Sequence, residues 1–305
     1  MLYYCKTPNG NFGDDLNLWL WPRLAPEVCD EQDARLFVGI GTLLNHKIPR
    51  KPIKMVFGAG CWNTGSLPKM DDRWKIFCVR GPLTAARFKL DPALAVVDPA
   101  ILVRRFAEEF FRPKIYRVSF MPHLQSLPFA DWPTLCMKIG WHCIDPTSGV
   151  DKILQELSAT ELLLAEAMHG AIVADALRVP WIPVRVYGKL NIFKWQDWSQ
   201  SVRVPLEIKD VPPIYTALPK GWKRAGNLIK QTVARAGMGQ ANWRRLGVRR
   251  SSPDEINRSL DTLQKIAATR TAFLSDDGLL AQLETRLMEK LSVVRASWQK
   301  HPVAS

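Results

Sequence analysis

The sequence predicts an α/β protein of two Rossmann-like domains facing a cleft, followed by a C-terminal helical extension. Three observations carry this. The runs ARLFVGIGT, KMVFGAG, WKIFCVRG and ALAVVDPAILV are short, apolar and closed by Gly, Arg or Asp, the pattern of buried parallel strands. A second set, YRVSFMPH, TLCMKIGWHC, ELLLAEA and WIPVRVY, repeats it about a hundred residues later. After Val204 the composition shifts to a Pro-rich connector, a basic block and helical periodicity. With 305 residues, 47% of them hydrophobic, the chain can fill two ordinary cores.

LYYC opens as a strand and leads into NGNFGDDLNLWLWPRL, a Gly-containing loop and a helix that Asp14 or Asp15 would cap, with Leu16, Leu20 and Leu24 along one face. The four runs above complete a five-stranded first half. In RGPLTAARFKL, Pro82 takes the first helical position after Gly81, and Arg80 sits on the lip of the preceding strand. RRFAEEFFRPK is a charged helix and linker, which sets the first domain at 1–112. The second, 113–205, holds the second strand set and the helix DKILQELS. The remainder, 206–305, is the connector PLEIKDVPPIYTALPKG, the basic segment and a helical hairpin. Ser252-Pro253-Asp254-Glu255 is a capping box with Pro at the first helical position, continued by Ile256, Leu260, Leu263 and Ala267. Leu280, Leu283, Leu287, Leu291, Val294 and Trp298 mark the second helix.

The stretch Thr160 to Arg185 reads as strand, tight turn, helix, strand, and places His169 at the carboxyl end of a strand in the first turn of the next helix. At that edge of an α/β sheet, free backbone N–H groups and the helix dipole point toward bound anions. The site is therefore expected between Arg80 and His169. Arg80 suits a carboxylate or phosphate, because a guanidinium fork matches either with two parallel bonds. His123, in FMPH, ends another strand and suits a phosphate or an acceptor hydroxyl. His142 lies in an apolar run and reads as core.

The formal charge of +13 is concentrated. Lys220 to Arg250 holds nine basic residues and no acidic ones, interleaved with Trp222 and Trp243, which points to a polyanionic neighbour. As an interfacial helix this segment would rest on anionic membrane. MLYYCKTPNG lacks the basic and apolar regions of an export signal, and no uncharged run spans a bilayer; a cytoplasmic protein, at most peripheral on the inner face of the membrane, is expected. The six cysteines lack C-x-x-C spacing and read as reduced, mostly buried thiols, with no metal site. The pairs G-I-G at 39–41 and G-A-G at 58–60 are not the spaced G-x-G-x-x-G of a dinucleotide helix, nor is there a G-x-x-x-x-G-K-[ST] phosphate loop.

NFGDDLN, the strand end G-I-G-T, V-R-G-P-L-T-A, D-P-A-I-L, F-M-P-H and E-A-M-H-G-A-I-V-A-D-A-L occur in this order. In these the chain resembles the polysaccharide pyruvyl transferases, notably the bacterial exopolysaccharide branch that makes succinoglycan-like and xanthan-like ketals, over roughly residues 2–190. The resemblance implies transfer of the enolpyruvyl unit of phosphoenolpyruvate to two hydroxyls of a sugar, in an exopolysaccharide or its lipid-linked oligosaccharide precursor, with release of phosphate. It implies a fold similar to the two-domain glycosyltransferases of the B type and needs no cofactor beyond the donor substrate.

Ketal formation requires protonation of the donor's methylene carbon, so His169 is expected as the general acid, with Glu166 on the preceding strand raising its basicity. Asn11, Asp14 and Asp15 would line the acceptor side. In other branches of the family an Arg precedes the histidine; here Met168 stands there, and Arg185 and Lys189 at the next strand end are the candidate replacements. A B-type glycosyltransferase using a nucleotide sugar, a basic nucleic-acid-binding module and a non-catalytic assembly scaffold are the competing readings. No recognised nucleic-acid motif supports the second, and no specific nucleic-acid partner is expected.

Overall fold

The computed structural model describes residues 1–31, 34–188, 190–216, 250–269 and 271–300. It contains two wholly parallel sheets with helices packed on them, compatible with two Rossmann-like units. The first sheet runs β1 (Leu2–Tyr3), β2 (Arg35–Val38), β3 (Ile53–Phe57) and β4 (Trp74–Cys78), in chain order, and is followed by the short helices α2 (Pro82–Arg87) and α3 (Ala107–Phe110). The second comprises β5 (Ser119–Met121), β6 (His142–Cys143), β7 (Leu163–Ala165), β8 (Trp181–Arg185) and β9 (Lys209–Asp210), ordered β6-β5-β7-β8-β9. Strand order reverses between β5 and β7. In an open parallel sheet, the crevice beyond the carboxyl ends at such a reversal is where ligands bind, because the two flanking crossovers leave on opposite faces.

Two predicted strands differ. ALAVVDPAILV pairs with β4 only through the single bridge Val79–Ala95 and then coils into a 3₁₀ helix, Pro99–Phe106. The cause is local: Asp98 accepts a hydrogen bond from the Ala100 amide, and Pro99 occupies the first helical turn, where its missing N–H costs nothing. Among the described residues the first sheet therefore has four strands, not five. In TLCMKIGWHC only His142 and Cys143 are strand. The preceding residues form α4 (Trp132–Lys138), because Asp131 caps the Thr134 amide and Pro133 follows in the first turn. β9 falls inside the Pro-rich connector, where no strand was expected.

Helix α1 (Phe12–Leu24) buries Leu16, Leu20 and Trp21. Its capping position is Asn11 rather than either aspartate, and Asp15 reaches back to accept the Asn11 amide at 2.8 Å. Trp19 donates to Asp151 of α5 (Val150–Ser158) at 2.7 Å, so the first helix of one half is tied to a helix of the other. A single apolar core runs through both, joining Leu16 and Trp21 to Ile101, Leu154, Ile172 and Trp198.

Residues 250–300 form two helices. α8 (Pro253–Ala268) starts with the predicted capping box, Ser252 and Glu255 each accepting the other's amide, and packs Leu260 and Leu263 on the second sheet. α9 (Asp277–Lys300) returns to the first: Trp298 donates to Asp30 at 3.0 Å and lies under the Arg35 guanidinium. No helix among the described residues is long and apolar enough to cross a membrane.

Candidate active site

β7 ends at Ala165 and the helix α6 (Met168–Ala176) begins three residues later, so His169 stands in the first turn at the reversal point of the second sheet. Its ring packs directly on Gly13 of α1: a methyl group built there would fall 2.0 Å from Nδ1. Glycine in the GDD segment is thus required by close approach, and the helix start of the first half is pressed against the histidine of the second.

On the other side, His169 Nε2 lies 3.5 Å from Oδ2 of Asp98. The Asp98 side chain is fully buried, and its Oδ1 is occupied by the Ala100 amide; neither Oδ2 nor the histidine Nε2 has a hydrogen-bond partner among the described residues. The turn that presents Asp98 depends on Gly58, which has φ +84° and leaves no room for a Cβ beside Pro99.

The N-terminal loop supplies two carboxylates. Asn11 Nδ2 donates to Asp14 at 2.6 Å, and the Phe12 amide donates to Pro146 O, holding the loop to the segment after β6. Burial raises the Asp14 carboxyl above the ordinary range, against the opposing effects of the Asn11 hydrogen bond and the nearby His169 and Lys194 charges. Asn17 anchors the loop from below: its Nδ2 donates to Asp14 O and Ile40 O, and its Oδ1 accepts from Trp21 Nε1 and the Ile40 amide.

Arg80 does not sit on an open lip. Its side chain is fully buried, with Nε donating to Asp197 at 3.0 Å and a terminal nitrogen to Thr42 at 3.1 Å. Asp197 belongs to α7 (Ile192–Ser201) and also accepts the Thr84 amide and hydroxyl. Ser201, one turn further along, donates to Arg80 O. Residues 194, 197 and 201 share one helix face, so Lys194 projects toward the same half as Asp197. Its ammonium forms no ion pair or hydrogen bond with a described residue. Burial, reinforced by the Arg80 charge, pushes its ammonium down to about 8, while Asp14 and Asp98 oppose this. His123, at the end of β5, is pushed down to about 4 by burial and by Lys194, and is neutral at physiological pH.

Glu166 is buried and accepts the amides of His123, Val186 and Tyr187, a brace between the ends of β5 and β8. Arg185 forms a two-point ion pair with the exposed Asp210 of β9. Met168 is buried in the core. His142 is half-buried, stacked on Tyr116. Lys189 and the basic segment as far as Arg249 lie outside the described residues. Sequence patterns did not single out Asp98 or Lys194. An Asp-Pro pair was the available signal for the first; the second had none, because IFKWQDW does not show which face meets the other half.

The arrangement unites an imidazole with a carboxylate partner, two further carboxylates at a helix start, a cation of lowered basicity and a neutral histidine. Such a set can deliver and accept protons beside a bound anion.

Residues 30–186 match the model of the polysaccharide pyruvyl transferase family. That span holds Arg80, Asp98, His123, Glu166 and His169, while Asn11 to Asp15 and Lys194 lie on either side of it. The chain is similar to the succinoglycan biosynthesis protein ExoV of Rhizobium meliloti (strain 1021), at 43% identity over 213 residues, 69% of this chain and 67% of that protein. No solved structure matches it. With more than half its length inside the family model and a relative of this identity, the chain belongs to the polysaccharide pyruvyl transferase family.

Proposed function

We propose that the chain transfers the pyruvyl group of phosphoenolpyruvate to two hydroxyls of one sugar in an exopolysaccharide or its lipid-linked precursor, forming a cyclic ketal and releasing phosphate. The observation that carries this reading is the His169–Asp98 pair at the reversal point of the second sheet, pressed against the acidic helix start of the first half. Proton donor and acceptor-side carboxylates then meet where a ligand between the halves would lie, as in a B-type glycosyltransferase arrangement of domains 1–112 and 113–205, with 206–305 as the extension.

Protonated His169 gives its proton to the donor's methylene carbon, and Asp98 stabilises the imidazolium in the dry site. The resulting cation at the enol carbon is attacked by the first hydroxyl; phosphate then departs and the second hydroxyl closes the ring. Both hydroxyls lose protons. One replaces the proton spent by His169 and the other leaves with phosphate. Asp14, its carboxyl already raised by burial, suits the role of base, and Asn11 and Asp15 orient the sugar. Lys194 takes the main share of the donor anion, since Arg80 commits Nε to Asp197 and one terminal nitrogen to Thr42 and keeps only its second terminal nitrogen unpartnered among the described residues; neutral His123 offers a hydrogen bond to the phosphate. The chemistry needs no further cofactor.

The test is acceptor-dependent phosphate release from phosphoenolpyruvate with galactoside, glucoside and mannoside acceptors, comparing the natural chain with His169→Ala. Release abolished by the substitution supports the reading; a chain that binds a nucleotide sugar but not phosphoenolpyruvate would replace it with a glycosyltransferase.

A further inference from the structure

Two adjoining cavities lie along the crossovers 39–52 and 58–73, which join β2 to β3 and β3 to β4. The first, of about 300 Å³, is lined by Leu44, His46, Lys47, Trp62 and the 64–67 turn. The second, of about 510 Å³, shares His46, Ser66 and Leu67 with it and continues to Arg50, Lys54, Lys69, Arg73 and Trp74. Both crossovers begin at the candidate site: Thr42 accepts from Arg80, Gly41 faces Asp14, and Gly60 packs on the Arg80 guanidinium two residues before Trp62.

The lining is markedly cationic. Five Lys or Arg side chains face one acid, Asp71, which is paired with Arg73 at 3.1 Å. The Arg50 and Lys69 side chains are exposed and have no ion pair or hydrogen bond with a described residue. Lys54 is only 1% exposed. Its ammonium lies over the Trp74 ring and donates to Arg50 O, leaving donors to spare, since an ammonium has three. The Asp71 charge offsets part of the cost of burying this cation, and an anion in the cavity would meet the donors left over. Trp62 is 49% exposed, a flat apolar face of the kind that packs on the C–H face of a sugar ring.

We infer that these two cavities form a groove for a carboxylate-bearing saccharide chain, extending the acceptor away from the reacting sugar. The inference rests on the saccharide-modifying role proposed above, but its test does not depend on turnover. The cations pair with acidic substituents of the chain, and Trp62 stacks on a ring near the site's edge.

The experiment is direct titration calorimetry of the full chain with three probes: a hexameric oligogalacturonate, a neutral gluco-oligosaccharide hexamer and a single-stranded oligonucleotide of matching charge. The acidic hexamer is expected to bind at least tenfold more tightly than either of the others, with affinity falling as salt rises. The double variant Arg50→Ala/Lys69→Ala is expected to lose about tenfold, and Trp62→Ala a comparable amount, both with an unchanged melting temperature. Removing two positive charges elsewhere, Lys138→Ala/Lys152→Ala, is expected to leave binding unaltered. Equal binding of the acidic and neutral hexamers, tighter binding of the oligonucleotide, or equal losses in the two charge variants would overturn the inference. If instead the acidic hexamer binds as stated while no acceptor supports phosphate release, the groove stands and the donor assignment falls.

Discussion

His169 Nε2 and Asp98 Oδ2 face each other at 3.5 Å across the joint between α6 and the 3₁₀ helix, each without another hydrogen-bond partner among the described residues. A small inward movement turns the pair into a charge-assisted hydrogen bond whenever the imidazole carries its second proton. Asp98→Asn keeps the shape and removes the charge. Its kcat is expected to fall by roughly 100-fold with little change in acceptor KM, since general acid catalysis contributes on that order. Steady-state kinetics check this, and an unchanged kcat would remove Asp98 from the mechanism.

Gly13→Ala isolates ring position from ring chemistry. The new methyl would overlap His169 Nδ1, so the ring must move, and a displacement of about 1 Å in a catalytic group can cost roughly 100-fold in rate. Gly13 is buried and only the second residue of α1, so the overlap outweighs alanine's helix preference: the melting temperature is expected to fall by a few degrees while kcat drops far more. A loss of kcat no larger than the loss of folded protein would indicate a packing defect instead.

Lys194 gives the donor step a pH signature. Its ammonium is charged below about 8 and neutral above, so phosphoenolpyruvate affinity is expected to weaken as pH rises through that value. Lys194→Arg, charged at every accessible pH, should flatten this dependence, and Lys194→Met should weaken donor binding about tenfold even at neutral pH, the size of one lost charge-assisted contact. Folding runs the other way. The folded value lies below the ordinary 10.5, so the unfolded chain holds the proton more tightly between about 8 and 10.5, and this residue's contribution to stability rises with pH across that window. Titration calorimetry at several pH values separates the two.

Arg80 braces α7 through Asp197 and Ser201. Arg80→Ala leaves Asp197 buried without its cation and is expected to cost about 3–5 kcal/mol, read from denaturant unfolding. Replacing both partners, in Arg80→Met/Asp197→Leu, should recover part of the loss, because neither charge is then left unpaired. If Arg80→Ala is stable and only donor binding suffers, the guanidinium contacts substrate.

Most of the fold was legible because buried parallel strands announce themselves as short apolar runs and α6 by its spacing. Failures had a common physical form. ALAVVDPAILV is apolar enough for a strand, but an Asp-Pro pair starts a helical turn more strongly than apolar composition extends a sheet. In TLCMK the same competition was won by Asp131 and Pro133. At the site, His169 was legible because it stands at a strand-to-helix turn. Arg80 was found for the wrong environment: its partner Asp197 is 117 residues away, and nothing local reveals that the pair is buried. Lys194 was invisible for the same reason, since its meaning depends on which face of α7 meets the first half.

Phosphoenolpyruvate labelled at its enol carbon and followed into product by NMR, with a saccharide acceptor present, is the decisive measurement. A new ketal carbon attached to the sugar is expected, formed in step with phosphate release and absent with His169→Ala. Phosphate release that yields free pyruvate with no saccharide-bound label would contradict ketal transfer to the sugar.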